Sequence, residues 1–404
     1  MPELEVELDR VATGGTGLGV GPDGRVVFVT GGLPGEVVRA EVTAEHRRRI
    51  EASVTEVVRA APARIPVACE QVAQGCGGCD WQHVEADAQG ELRRDIVADC
   101  LRRLAHVKEP DIRRGPTLAG AGYRTTVRAA VVDGRAGYRA ARSHRVVTAE
   151  SCGVAHPLVE EILVDGRFGA ATEVVIRAGA RTGERLVLVS PRAEGVVVPP
   201  DVVVVGQDEL DAGREVYFHE EVASQRFRIS AASFFQCRPD GAEALVDLTA
   251  VALGDVDGLL VDAYCGVGLF GACLAEGRPL VGIEADRWSS ADAVVNYAAA
   301  AGSSSHQAQT AARLVEHLPV ERWKSQRAGA VIADPARGGL GKVGVRTLVA
   351  AEAPVFVLIS CDPASLARDT TLLAANSYHL DHVTTVDLFA QTSHVETVSR
   401  FVRR

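Results

Sequence analysis

Hydrophobic and polar positions alternate in short bursts through the first sixty residues. The bursts are Leu4/Val6/Leu8, Val26-Val27-Phe28-Val29, residues 36–42 and residues 50–58, and the glycine turns Gly14-Gly15-Thr16-Gly17 and Gly31-Gly32 fall between them. Period-two bursts predict strands, and strands this short and closely spaced predict a small β-barrel. Residues 62–66 read as a proline-bounded linker, and a cysteine cluster follows. Leu92, Ile96, Val97, Cys100, Leu101 and Leu104 then recur at helical spacing, which predicts a helix over about 87–106. Short β segments return between Tyr123 and Val205, among them 126–132 and 185–189.

The rhythm changes near Ser233. A helix over 239–253 leads to an apolar strand at 258–262, a glycine turn at Cys265-Gly266-Val267-Gly268 and a second helix. A strand at 279–283, a helix through 294–301 and strands at 330–333 and 355–359 complete the series. Strands that are apolar throughout and alternate with helices predict a parallel, doubly wound α/β sheet. The expected domains are 1–60, 61–232 and 233–404, with the helix over 87–106 available to pack on the third.

The chain has 404 residues, 47% hydrophobic and 24% charged, enough for two or three cores. It contains no run of 18 apolar residues, and Met1 is followed by acidic Glu3 and Glu5. Neither a membrane span nor a signal peptide is therefore expected, and the chain reads as cytoplasmic. In that compartment nine cysteines, an odd number, read as metal ligands or nucleophiles rather than disulfides. The net charge of −10 excludes a uniformly basic nucleic-acid binder, but the charge is uneven. Between Leu92 and Glu150 there are 13 Lys+Arg and 6 Asp+Glu, a local +7 that leaves −17 for the remainder. Arg124, Arg128, Arg139 and Arg142 lie in this stripe and are candidate contacts to an RNA backbone.

The chemistry concentrates where strands end. Asp262-Ala263-Tyr264-Cys265-Gly266-Val267-Gly268 is a strand running into a Gly-x-Gly turn, and Glu284 closes the next strand. Gly266 and Gly268 let a ligand approach the backbone, and an acid roughly 20 residues past such a turn can accept the hydroxyls of a ribose. The third glycine of the dinucleotide fingerprint is read as missing, because Gly271 falls inside the helix beginning at Leu269. The pair indicates an adenosine ligand and leaves S-adenosylmethionine and NAD both open. The next two strands end in Asp334-Pro335-Ala336-Arg337 and Ser360-Cys361-Asp362-Pro363. Ligands of doubly wound sheets bind at the carboxyl ends of strands, so both motifs should face the same crevice. Asp362 and Pro363 suit an N-cap and a first helical residue, a place where the helix terminus favours a thiolate at Cys361. Taken alone, Cys361 fits a nucleophile or a small core residue equally well.

Together these segments resemble the RNA uracil-5-methyltransferases that use S-adenosylmethionine. The resemblance runs over nearly the whole chain. It rests on Leu33-Pro34-Gly35-Glu36, Cys76-Gly77-Gly78-Cys79-Asp80-Trp81-Gln82-His83, Tyr123-Arg124, Gly137-Tyr138-Arg139, Ser143-His144-Arg145-Val146-Val147, Phe234-Phe235-Gln236, the cofactor turn, Asp334-Pro335-Ala336-Arg337, Ser360-Cys361-Asp362-Pro363 and His394-Val395-Glu396. It implies a class I methyltransferase domain, an OB-like TRAM barrel and a central β-rich cysteine-cluster domain. It implies Cys361 as nucleophile and Glu396 as general base, with Gln236, Tyr264, Glu284 and Asp334 contacting the cofactor. Relatives that carry both barrel and cluster mostly act on 23S rRNA, and tRNA-specific relatives often lack both, so rRNA is expected. The alternatives are a tRNA substrate and a catalytically weak RNA-binding iron–sulfur protein. A monomer without an obligate protein partner is expected.

The sequence departs from the family's usual Asn after the nucleophile, placing Asp362 there, and a carboxylate beside a thiol opposes thiolate formation. Leu269 stands where some relatives have a polar residue, and 303–312 lacks the usual polar cofactor contact. Cys69-x6-Cys76-x2-Cys79 with distant Cys152 makes four soft ligands, and the spacing admits zinc or an iron–sulfur cluster. The resemblance implies [4Fe-4S]. Cys100, Cys237 and Cys273 read as packing residues at apolar helical positions.

Overall fold

The computed structural model describes residues 2–141, 143–301, 308–312 and 328–404. Arg142 and the first half of the stretch 303–312 therefore lie outside the described residues. The first sixty residues close a five-stranded barrel in which Glu3–Val11 pairs with both Gly17–Val20 and Val37–Glu45. Its alternating inward residues, among them Val6, Leu8, Val27, Val29, Val38 and Ala40, form a separate small core. Gly17–Val20 is a strand where the sequence reads as a glycine turn, because its neighbours take the backbone hydrogen bonds that isolated glycines cannot specify.

The central region forms a six-stranded sheet that includes Thr126–Val132, Glu173–Ala178 and Arg185–Ser190. The C-terminal region forms an eight-stranded sheet in the order Ala308–Ala312, Leu280–Glu284, Leu259–Ala263, Ala328–Ala333, Val355–Ser360, Glu396–Arg403, Tyr378–Val386 and Ile112–Arg114. Its first five strands are parallel, and Glu396–Arg403 runs antiparallel between its two neighbours. The chain order reverses between Leu259–Ala263 and Ala328–Ala333, which opens a crevice at the carboxyl ends of those strands. The four strands expected here from the apolar runs all form, within about two residues of their predicted limits.

The domain limits intersperse more than the sequence indicates. Helix Ala86–Leu104 buries Val97, Cys100 and Leu101 in the same core as helix Pro363–Ala374, and Ile112–Arg114 adds a parallel edge strand to the catalytic sheet. The hairpin Tyr217–Val222/Gln225–Ser230 likewise places Phe218, Val222, Phe227 and Ile229 in the core of helix Pro239–Leu253. Cys100 and Cys273 lie in helices, whereas Cys237 lies in the loop before Pro239–Leu253. Among the described residues, no helix is long and apolar enough to cross a membrane.

Candidate active site

The turn after Leu259–Ala263 is built by close packing. Asp262 is fully buried, and its Oδ2 accepts the Gly271 N–H (2.8 Å) and the Tyr297 hydroxyl (2.9 Å). The Tyr297 ring fills the space beside three glycines. A Cβ on Gly268, Gly271 or Gly282 would lie 2.6, 2.6 or 2.7 Å from a ring carbon. Gly271 thus holds the third fingerprint position after all, and being inside a helix does not exclude it. Gly268, with φ +90°, packs against the Tyr297 ring between Val267 and Leu269, both of which line the crevice. A Cβ on Gly266 would meet no protein atom within 4 Å, and Gly266 does line the crevice. Tyr264 takes φ +58°, a left-handed conformation that costs a non-glycine residue energy and marks functional turns. The Glu284 carboxylate accepts the N–H groups of Gly266 (2.9 Å) and Asp286 (2.7 Å), which fixes it at the turn with lone pairs to spare for ribose hydroxyls.

The segment bearing Gln236 approaches from the opposite side. Asp292 accepts from the Ser230 N–H (2.7 Å) and the Ser230 and Ser233 hydroxyls (2.8 and 2.7 Å). Fully buried Arg177 donates to the carbonyls of Ser230, Ala231 and Ser233. This bracing brings Gln236, Tyr264, Gly266, Glu284, Asp334, Cys361 and Glu396 to one open cleft. Leu269 forms part of its apolar wall, Arg337 and His394 join it, and Phe234 lies at its edge with 68% of its surface exposed.

Strand pairing sets Cys361 against Glu396. Ser360 pairs with Thr397 in antiparallel register, and Glu396 pairs with Val386 on its other side. Cys361 follows that rung directly on one strand and Glu396 precedes it on the other, and both side chains line the cleft. The cleft is poor in compensating charge. Burial and then the charge of Asp334 hold the Glu396 carboxyl well above the usual carboxylate range. Burial and the charge of Asp262 likewise push Asp334 up. Burial, followed by Glu396 and Asp334, pushes the half-buried Cys361 thiol up to about 11, while Arg337 acts in the opposite direction. Burial and the two carboxylates thus oppose, in the free protein, the thiolate that the sequence leads one to expect. Asp362 Oδ1 caps helix Pro363–Ala374 by accepting the Ser365 N–H at 2.7 Å, and the carboxylates that act on the thiol are Glu396 and Asp334. Burial, with Arg337, lowers the His394 pKa and favours a neutral imidazole at the cleft.

Cys69, Cys76, Cys79 and Cys152 line a second, small cavity together with Arg124 and Tyr138. The Tyr138 hydroxyl lies 3.6 Å from the Cys152 sulfur, and the Gly78 N–H donates to the Cys76 sulfur (3.5 Å). Among the described residues, no group of three or more His, Cys, Asp or Glu could hold a metal ion. Arg124 packs over the Tyr123 ring beside this cavity, Arg128 is exposed and paired with Glu173, and Arg139 is exposed beside His144. Asp262, Asp292, Arg177 and Tyr297 escape the sequence reading. The available signals were a carboxylate ending an apolar strand and a lone tyrosine facing three glycines.

A family model described as tRNA (Uracil-5-)-methyltransferase matches residues 203–403. An uncharacterized RNA methyltransferase of Streptomyces avermitilis is 33% identical over 428 residues, spanning 98% of this chain and 97% of its own. One from Gloeobacter violaceus is 32% identical over 450 residues, spanning 99% and 96%. Among solved structures, Pyrococcus abyssi tRNA (uracil-54, C5)-methyltransferase in complex with S-adenosyl-L-homocysteine shares the fold. Its TM-score is 0.73, with 22% identity and 99% of both chains covered. With the expected motifs gathered in one cleft and relatives of this identity along the whole length, the chain belongs to the RNA uracil-5-methyltransferase family.

Proposed function

We propose that this enzyme moves a methyl group from S-adenosylmethionine to carbon 5 of a uridine flipped out of structured RNA, through a covalent bond between Cys361 and carbon 6. The observation that carries this reading is that Cys361, the residue after the last paired rung Ser360–Thr397, and Glu396, the residue before Thr397, both line the cleft formed by the cofactor turn. Gln236, Tyr264, Gly266, Glu284 and Asp334 would hold the cofactor. The space beside Gly266 and the anchored Glu284 carboxylate fit a nucleoside there. When bound, the cofactor supplies an electrophilic methyl on a sulfonium whose positive charge favours the ionised forms of nearby acids.

Carbon 5 of uracil is a weak nucleophile. Addition of the Cys361 thiolate to carbon 6 moves the double-bond electrons through carbon 5 onto the carbonyl, giving an enolate. Carbon 5 then bonds the methyl group while the methyl–sulfur bond breaks, its electron pair staying on sulfur and leaving a neutral thioether. Glu396 takes the carbon-5 proton, the electron pair re-forms the ring double bond, and the bond from carbon 6 to sulfur breaks, freeing Cys361. A cleft closed on several sides by protein requires the base to leave its stack.

The RNA is proposed to be 23S rRNA, contacted by the exposed Arg128 and Arg139, with the protein acting as a cytoplasmic monomer. The closed N-terminal barrel and the four-cysteine cavity support this choice. The second reading, a tRNA substrate, is favoured by the family description and by the Pyrococcus abyssi tRNA enzyme, whose structure matches over 99% of this chain. We further propose that the four cysteines hold a [4Fe-4S] cluster. The four cysteines lining one cavity would supply the four thiolates such a cluster takes, and the family resemblance is what favours the cluster over zinc.

Nucleoside mass spectrometry of ribosomal and transfer RNA from a strain lacking the gene tests the substrate. Loss of 5-methyluridine from 23S rRNA is expected, loss from tRNA alone selects the second reading, and loss from neither refutes both. Cys361→Ala should restore nothing on complementation. Iron and sulfide in anaerobically purified protein test the cluster, and stoichiometric zinc instead would overturn it.

A further inference from the structure

The loop leading into Glu396 is held by residues outside the catalytic domain. Arg93, on helix Ala86–Leu104, is 1% exposed, and its guanidinium donates to the carbonyls of Thr392 (2.7 Å) and Phe389 (3.2 Å) and to Asp387 Oδ1 (2.9 Å). The Trp81 backbone N–H donates to the Gln391 carbonyl (3.0 Å), and the Trp81 ring is fully buried beneath Arg93. Gln89 Oε1 accepts the Gln391 N–H (2.9 Å), and Asp80 Oδ1 accepts the Ser393 N–H (2.9 Å). The loop lacks helix or strand structure to satisfy these groups itself. Phe389 and His394, on either side of the held stretch, line the active cleft.

Asp80 and Trp81 directly follow Cys79 in the chain, so the segment bearing the cysteines is the one that grips the loop. We propose that Asp80, backed by Trp81 and Arg93, is a positioning residue that sets the Glu396 carboxylate at the carbon-5 proton. This rests on the reading of Glu396 as base. Asp80 is exposed, so removing its carboxylate leaves the cores intact and frees one anchor three residues before Glu396. Small displacements of a catalytic group carry large rate penalties, because proton transfer needs near-contact geometry.

Single-turnover reactions with labelled S-adenosylmethionine and total RNA from a strain lacking the gene separate the steps. Methyl entry into the protein–RNA adduct and decay of that adduct are followed on denaturing gels. In Asp80→Ala, decay should slow roughly tenfold, the size of one charge-assisted hydrogen bond, with methyl entry and RNA affinity unchanged. Asp80→Asn keeps an oxygen that accepts the Ser393 N–H and should decay near the wild-type rate. Wild-type decay in Asp80→Ala overturns the proposal, as does equal slowing in Asp80→Asn or slowing matched by an equal loss of RNA affinity. Glu396→Gln, run alongside, distinguishes the two levels. Fast decay in Glu396→Gln refutes the base assignment. Slow decay there with wild-type decay in Asp80→Ala refutes the positioning role alone.

Discussion

Replacing Asp262 with Asn should change how stability depends on pH. Burial pushes the Asp262 carboxyl up to about 6 from an ordinary 3.8, with the Tyr297 hydroxyl and the Gly271 N–H acting against it. Between those values the folded chain binds a proton that the unfolded chain has released, so stability falls as pH rises. The contribution is complete below 3.8 and gone once pH passes 6. At about 1.4 kcal/mol per pH unit the gap is worth about 3 kcal/mol. The introduced amide would keep an oxygen for both donors. Its nitrogen would occupy the place of Oδ1, which has no hydrogen-bond partner, at a cost of about 1–3 kcal/mol at every pH. The variant should therefore be weaker than wild type at pH 4 and equal to it or stronger at pH 7.5. Urea midpoints measured for both proteins from pH 4 to 8 give the difference, which includes the relief of Asp334, whose carboxyl the Asp262 charge pushes up in the wild type and which therefore acts in the same direction. A difference that stays constant with pH, or that grows in favour of wild type as pH rises, would show that Asp262 is not held protonated by burial.

Two further outcomes follow from the same cleft. In the free protein, Cys361 should react with iodoacetamide at a rate that climbs about tenfold per pH unit from 7 to beyond 9, since its thiol lies near 11. Site-resolved mass spectrometry reads this, and a plateau below pH 8 contradicts it. Asp362→Ala should cost about 1 kcal/mol of stability through loss of the N-cap, while Asp362→Asn should retain both stability and methylation. A large drop in methylation by Asp362→Asn would mean that the carboxylate acts on the thiol after all.

The parallel strands are legible in the sequence because each is buried on both faces and leaves an unbroken apolar run. Cys361 is legible as a site residue because such strands end at the crevice. Ile112–Arg114 leaves no such trace: it is a short edge strand, and two of its three residues are exposed arginines. The hairpin Tyr217–Val222/Gln225–Ser230 is also hidden. Its inward residues are few, and their partners lie on helices distant in sequence. The meeting of Glu396 and Cys361 at one cleft depends on the final strand inserting between two that precede it, a nonlocal event that no local pattern encodes. Asp362 and Pro363 are legible as a cap and a first helical residue because they stand where an apolar strand gives way to a helix.

The barrel turn at Gly15 has a practical consequence. Its carbonyl accepts the Trp81 indole N–H, and its Cα abuts Ser393 so closely that an added Cβ would sit 2.6 Å from the serine's. The barrel is thus wedged against the loop that leads into Glu396 and cannot be treated as a detachable module. A truncation that removes the first sixty residues would strip the cover from Trp81 and Ser393. Methylation lost in this way would not reveal whether the barrel touches RNA. Charge reversal at the exposed Arg47 and Arg48, which leaves that wedge in place, is the cleaner probe.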